Sequence, residues 1–112
     1  MFIELIARFL GTIFAVLLAA YIVPGFTVDS FYTAAIVAVI LGVLNVTIKP
    51  ILILLTLPLT ILTMGLFTFI INALLILIVS SFVEGFSVAG FVPALIGGAV
   101  IALIGWALHR LT

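Results

Sequence analysis

Four side chains could do polar chemistry inside an otherwise apolar chain: Asn45 with Lys49, and Thr68 with Asn72. A spacing of four puts each pair on one face of a helix, one turn apart. Amides and hydroxyls so placed either hydrogen-bond one helix to another or line a path for a polar solute. A lysine at the end of a helix can snorkel to the nearest aqueous surface, so its charge requires no functional role. Catalysis fits poorly. The chain has one histidine, His109, with no acidic pair at depth, no glycine-rich phosphate loop and no Ser/His/Asp set confined to one end. The absence of cysteine excludes disulfides and thiolate metal sites. No enzyme activity, metal or cofactor is expected.

The elements that must position these residues follow from composition. Of 112 residues, 69% are hydrophobic and 5% charged, and the mean hydropathy is +1.80. A soluble domain keeps roughly a quarter of its residues charged, so most of this surface faces lipid and the chain is an integral membrane protein. Its net charge is zero, which gives no footprint for nucleic acid. The bilayer itself is the expected partner.

Four apolar stretches read as membrane helices, about Glu4 to Val23, Tyr32 to Ile48, Met64 to Val83 and Pro93 to Arg110. Each approaches the roughly 20 residues needed to cross about 30 Å of hydrocarbon. Between the second and third lies KPILILLTLPLTILT, apolar but interrupted by Pro50 and Pro58. We expect a short interfacial or re-entrant connector helix there, Ile51 to Leu57; the alternatives are a fifth span and a kinked extension of the second. With four spans, Arg8, Lys49 and Arg110 share one face, and Asp29 and Glu84 lie on the other. The positive-inside rule then makes both termini cytoplasmic. Glu4 and Arg8 are spaced to pair on one helical face.

Residues 23–36, VPGFTVDSFYTAAI, and 83–96, VEGFSVAGFVPALI, match at seven of fourteen positions with a constant offset of sixty. The fold expected is therefore all-α, a single domain over 1–112 of two parallel two-helix repeats, about 4–48 and 64–110, joined by a connector at about 49–63. In each turn Gly25 or Gly85 can adopt the left-handed conformation that ends a helix. Phe26 and Phe86 then begin short extended segments whose aromatics dip into the membrane interface. Asp29 or Ser30 can cap the second span, and Pro93 suits the first turn of the fourth. Small residues spaced by four form flat stripes: Gly11, Ala15 and Ala19, then Ala34, Ala38 and Gly42, then Ala94, Gly98 and Ala102. Such stripes bring backbones together, either within one chain or between copies in a homo-oligomer.

The series Asn45-x-x-x-Lys49-Pro50, Leu57-Pro58-x-Thr60-x-x-Thr63-x-Gly65-x-Phe67, Asn72 and Gly85-Phe86-x-Val88 resembles the small bacterial four-helix membrane proteins called phage-holin-like, superfamily IV, mycobacterial type. The resemblance implies a four-span protein of the bacterial cytoplasmic membrane, with Asn45, Lys49, Pro50, Pro58, Gly65 and Asn72 as its framework. It also implies self-association until the membrane is breached. Two other readings stand beside it: a non-lytic accessory of the cell envelope, and a small channel or transporter built around Asn45 and Asn72.

The topology is open to test by labelling. Ile3→Cys and Ala107→Cys should resist a membrane-impermeant maleimide in intact cells, whereas Asp29→Cys and Glu84→Cys should react. Opposite labelling of the two ends would refute the even number of spans.

Overall fold

Two turns of the same design organise the chain. In a computed structural model, which describes residues 2–111, helix α1 (Phe2–Ile22) ends just before Pro24, which disfavours helical backbone in the residue preceding it. Gly25 follows with φ +84°, and Gly85 repeats this at +88°, in the left-handed region where a side chain is strained. Strand β1 (Phe26–Val28) then pairs antiparallel with β2 (Phe86–Val88), placing Phe26 opposite Val88, Thr27 opposite Ser87 and Val28 opposite Phe86. The ribbon continues one step each way: the Asp29 N–H donates to the Gly85 carbonyl at 2.8 Å, and the Ala89 N–H to the Gly25 carbonyl at 2.7 Å. Thr27 thus faces Ser87, the residue sixty positions on.

Four longer helices leave this ribbon. Helix α2 (Phe31–Leu55) is capped by Ser30, whose hydroxyl accepts the Thr33 N–H at 3.2 Å. A short helix α3 (Leu57–Leu62) leads to α4 (Phe67–Phe82), and α5 (Phe91–Leu111) carries Pro93 in its first turn. Helices α1 and α4 each pack against both α2 and α5, and neither diagonal pair, α1 with α4 or α2 with α5, is in contact among the described residues. The result is a four-membered ring. At 1.5 Å per residue α1 and α5 are about 31 Å long and α2 about 37 Å, enough to cross a bilayer. Helix α4 is apolar but shorter, about 24 Å.

Three expectations are corrected. The second span does not stop at Pro50; α2 runs through it to Leu55, and the break falls at Thr56, just before Pro58 in the first turn of α3. Pro50 removes a single backbone donor, and an apolar setting favours keeping every remaining backbone bond inside a helix. Nearby hydroxyls also serve the backbone: Thr47 donates to the Val43 carbonyl at 2.6 Å and Thr56 to that of Leu52 at 2.7 Å. Second, the third span begins at Phe67, not Met64, because Met64 (φ 56°) and Gly65 (φ 90°) make a left-handed turn. The Thr63 hydroxyl then accepts the Phe67 N–H at 3.1 Å. Third, Phe26 and Phe86 do not dip into the membrane interface. Both turn inward, 0% and 3% exposed, and meet edge to face with centroids 5.3 Å apart.

Buried side chains are confined to residues 13–41 and 71–98 among those described. The core therefore fills the ribbon end of the bundle. Ala15, Ala19, Ala34, Ala38, Ala94 and Gly98 all lie in it. Gly97 sits directly under the Phe26 ring, leaving no space for a β-carbon. Toward the other end the stripes lose their neighbours: Ala102 is half-buried, and a β-carbon at Gly42 would touch nothing. Gly11 is the exception, packed on Leu108.

Phe26→Ala and Phe86→Ala should each lower the unfolding free energy by about 3 kcal/mol. Gly97→Ala, which forces the Phe26 ring aside, should cost about 1–3 kcal/mol. Far-UV circular dichroism during SDS titration of mixed micelles measures these losses; unchanged midpoints would show that the ribbon end is not where stability resides.

Candidate functional site

Beyond the core the four helices enclose a cavity of about 190 Å³. Helix α2 presents Leu41, Asn45 and Lys49 to it at intervals of four, and α4 presents Asn72, Leu75 and Ile76. Helix α5 contributes Gly98, Ile101, Ala102 and Gly105, and α1 contributes Thr12. Its location follows from the fold. The ribbon ties the helices at one end, and with no diagonal contacts nothing fills the middle of the ring at the other. Glycines keep the α5 wall low. At Gly98 the α4–α5 seam is tight, since a β-carbon there would lie 3.4 Å from that of Asn72 and 3.2 Å from Ile76 Cδ1.

The polar groups of this wall are not tied up by the protein. Among the described residues, neither the Asn45 amide nor the half-buried Asn72 amide has a hydrogen-bond partner, and no fully buried side-chain nitrogen or oxygen lacks one. The two amides therefore face open space. Lys49 is half-buried and has neither an ion-pair nor a hydrogen-bond partner among the described residues. Thr12 donates to the Arg8 carbonyl at 2.8 Å, which leaves its oxygen able to accept.

A second cavity, about 330 Å³, lies between α1 and α5 and shares Thr12, Ile101 and Gly105 with the first. Arg8 and His109 line it, with Arg8 Nη2 donating to His109 Nδ1 at 3.1 Å. Arg8 thus reaches across to α5. The two adjoining walls carry Arg8, Lys49 and His109 and none of the three acids. Arg110 is outside both; its guanidinium stacks on Trp106, 5.4 Å from the ring centroid.

The structure brings Asn45, Lys49 and Asn72 together from two helices. It does not bring Thr68, which is half-buried one turn before Asn72 and absent from the lining. Sequence reasoning missed Thr12, Gly105, Arg8 and the inward role of His109. The signal was available: adding or subtracting sixty converts Asn72 to Thr12, Asn45 to Gly105, Lys49 to His109 and Thr68 to Arg8.

Apolar helices of spanning length, locked at one end and enclosing a polar space at the other, define a small helical membrane protein. The chain belongs to the family described as mycobacterial 4 TMS phage holin, superfamily IV, which it matches over residues 3–107. It is 40% identical over 89 residues to an uncharacterized protein of Streptomyces coelicolor, covering 76% of this chain and 71% of the relative. It is also 39% identical over 77 residues to the uncharacterized membrane protein YvlD of Bacillus subtilis, covering 68% of this chain and 65% of that one. No solved structure matches the chain.

Asn72→Leu tests whether this wall faces a solvated space. An amide bonded to another helix is worth about 1 kcal/mol, so its loss would destabilise the fold by that amount. With Asn72 facing the cavity, the leucine should leave stability unchanged or raise it, and SDS titration distinguishes the two signs.

Proposed function

We propose that the chain is a holin-like protein of the bacterial cytoplasmic membrane that self-associates and permeabilises it. In this reading its four membrane helices form two parallel repeats, about 4–48 and 64–110, joined by the segment at about 49–63, and both termini face the cytoplasm. The repeat reading is supported by the ribbon, where Thr27 meets Ser87 and the Gly25 and Gly85 carbonyls are used alike. The orientation is supported by the positive-inside count.

The observation that carries self-association is the one-sided packing. Away from the ribbon, α2 and α5 expose Val46 (75%), Leu103 (65%) and Trp106 (59%), and the turn after α3 exposes Met64 (90%). These faces meet no other part of the chain among the described residues, and family membership supports a second copy as their partner. Gly42, left open there one turn before Val46, admits a close helix–helix approach.

A second reading, a small channel or transporter, is supported by the cavity around Asn45 and Asn72. In that case Asn72→Leu should change solute flux through proteoliposomes, and identical flux would remove the reading.

Because the chain has no cysteine, single substitutions report cleanly on association. Val46→Cys and Leu103→Cys should each give covalent dimers with a bismaleimide in membranes, the doubly substituted chain should give higher species, and regulated expression should collapse the membrane potential as these accumulate. Cross-linking confined to monomers, or a stable potential at high accumulation, would overturn the proposal.

A further inference from the structure

We infer that the polar cavity is an anion site that takes a phosphate group, with Lys49 in its own wall and Arg8 in the wall of the cavity that adjoins it. This goes beyond self-association and does not depend on it.

Charge argues first. Two of the chain's three cationic side chains, together with its one histidine, line two adjoining cavities that no carboxylate of the described residues enters. An ammonium held half-buried among membrane helices is costly and normally finds a counter-charge. Lys49 has none among the described residues. An anion in the cavity supplies it.

Donor geometry argues second. The Asn45 and Asn72 amides each bring two N–H donors that no group of the described residues accepts, and Lys49 brings three more. Arg8 has five, one of which goes to His109. A tetrahedral oxyanion offers acceptors in several directions, and hydrogen bonds from cations to it are about twice as strong as neutral ones. A cation would find only amide oxygens and the Thr12 hydroxyl beside three basic side chains. Size agrees as well: one water needs roughly 10–15 Å³ of such space, so about 190 Å³ admits a polyatomic anion.

Free phosphate and the phosphodiester of an anionic lipid share this chemistry, and the two arms of the test separate them. In the first, inorganic phosphate is titrated calorimetrically into the full chain in a neutral maltoside detergent. In the second, native mass spectrometry counts lipids retained from nanodiscs of phosphatidylcholine mixed with phosphatidylglycerol. We expect one phosphate per chain, or one phosphatidylglycerol retained in preference to phosphatidylcholine. Lys49→Gln should weaken binding at least ten-fold and Arg8→Gln several-fold, while Arg110→Gln, outside both cavities, leaves it unchanged. Circular dichroism and gel filtration confirm that each variant is folded. Phosphate binding supports a site that reads the group alone, and retention of phosphatidylglycerol only assigns the lipid as its source. Binding in neither arm, equal retention of the two lipids, or an equal loss in Arg110→Gln would overturn the inference.

Discussion

The pairing of residues 26–28 with 86–88 is the constraint on which the rest of the molecule depends. Lipid gives helices no hydrophobic reason to associate, because tails are as apolar as leucine. Something else must hold the two hairpins together, and here it is backbone. Each turn would leave its N–H and C=O groups without partners at the edge of the apolar region; pairing the turns with each other satisfies both at once. The two inward phenylalanines then fill the angle between the four departing helices. Alanines and glycines below them let the backbones stay close for roughly three turns.

A bundle tied at one end behaves differently from one tied at both. Past Leu41 on α2 and Gly98 on α5 the small-residue stripes lose their neighbours, and the ring opens around its empty diagonals. Among the leucines and isoleucines that line the space stand two amides, a hydroxyl and the Lys49 ammonium. Polar lining at that place is consistent with the energetics: a group facing a wet cavity escapes the desolvation that a fully buried amide would suffer. The helices also differ in reach. By carrying α2 through Pro50 to Leu55, the chain keeps Lys49 inside a regular helix, on the same stripe as Leu41 and Asn45. Had the helix ended at Ile48, that alignment would have been lost.

Much of this was legible in the residues. Gly25 and Gly85 marked the turns because only glycine takes their left-handed backbone without strain, and the sixty-residue echo placed the turns in equivalent positions. Asn45, Lys49 and Asn72 stood out because polar groups at depth are rare. Three things were not legible. The inward rotation of Phe26 depends on Gly97, some seventy residues away, vacating the space beneath its ring. The persistence of helix through Pro50 depends on the cost of exposed backbone in lipid outweighing one lost hydrogen bond. The pairing of Arg8 with His109 depends on α1 lying against α5, which local spacing does not reveal; the i,i+4 rule pointed to Glu4 instead.

The divergence between the halves bears on what the cavity can be. Had both halves kept the same residues, the two adjoining walls would carry lysines at 49 and 109, with none of the three acids beside them. Like charges so placed repel and favour neutral forms. Sixty residues from Lys49 the chain instead carries His109, and sixty from Arg8 it carries Thr68, while the histidine accepts from the arginine. The two turns repeat one another; the site does not. That asymmetry, with a packed core and the Phe26–Phe86 pair closing the ribbon end, describes a pocket with a floor and not a path through the bundle. Passage through a single copy would require that floor to come apart. Passage between copies would not, so the self-associating reading asks less of the fold than the channel reading does.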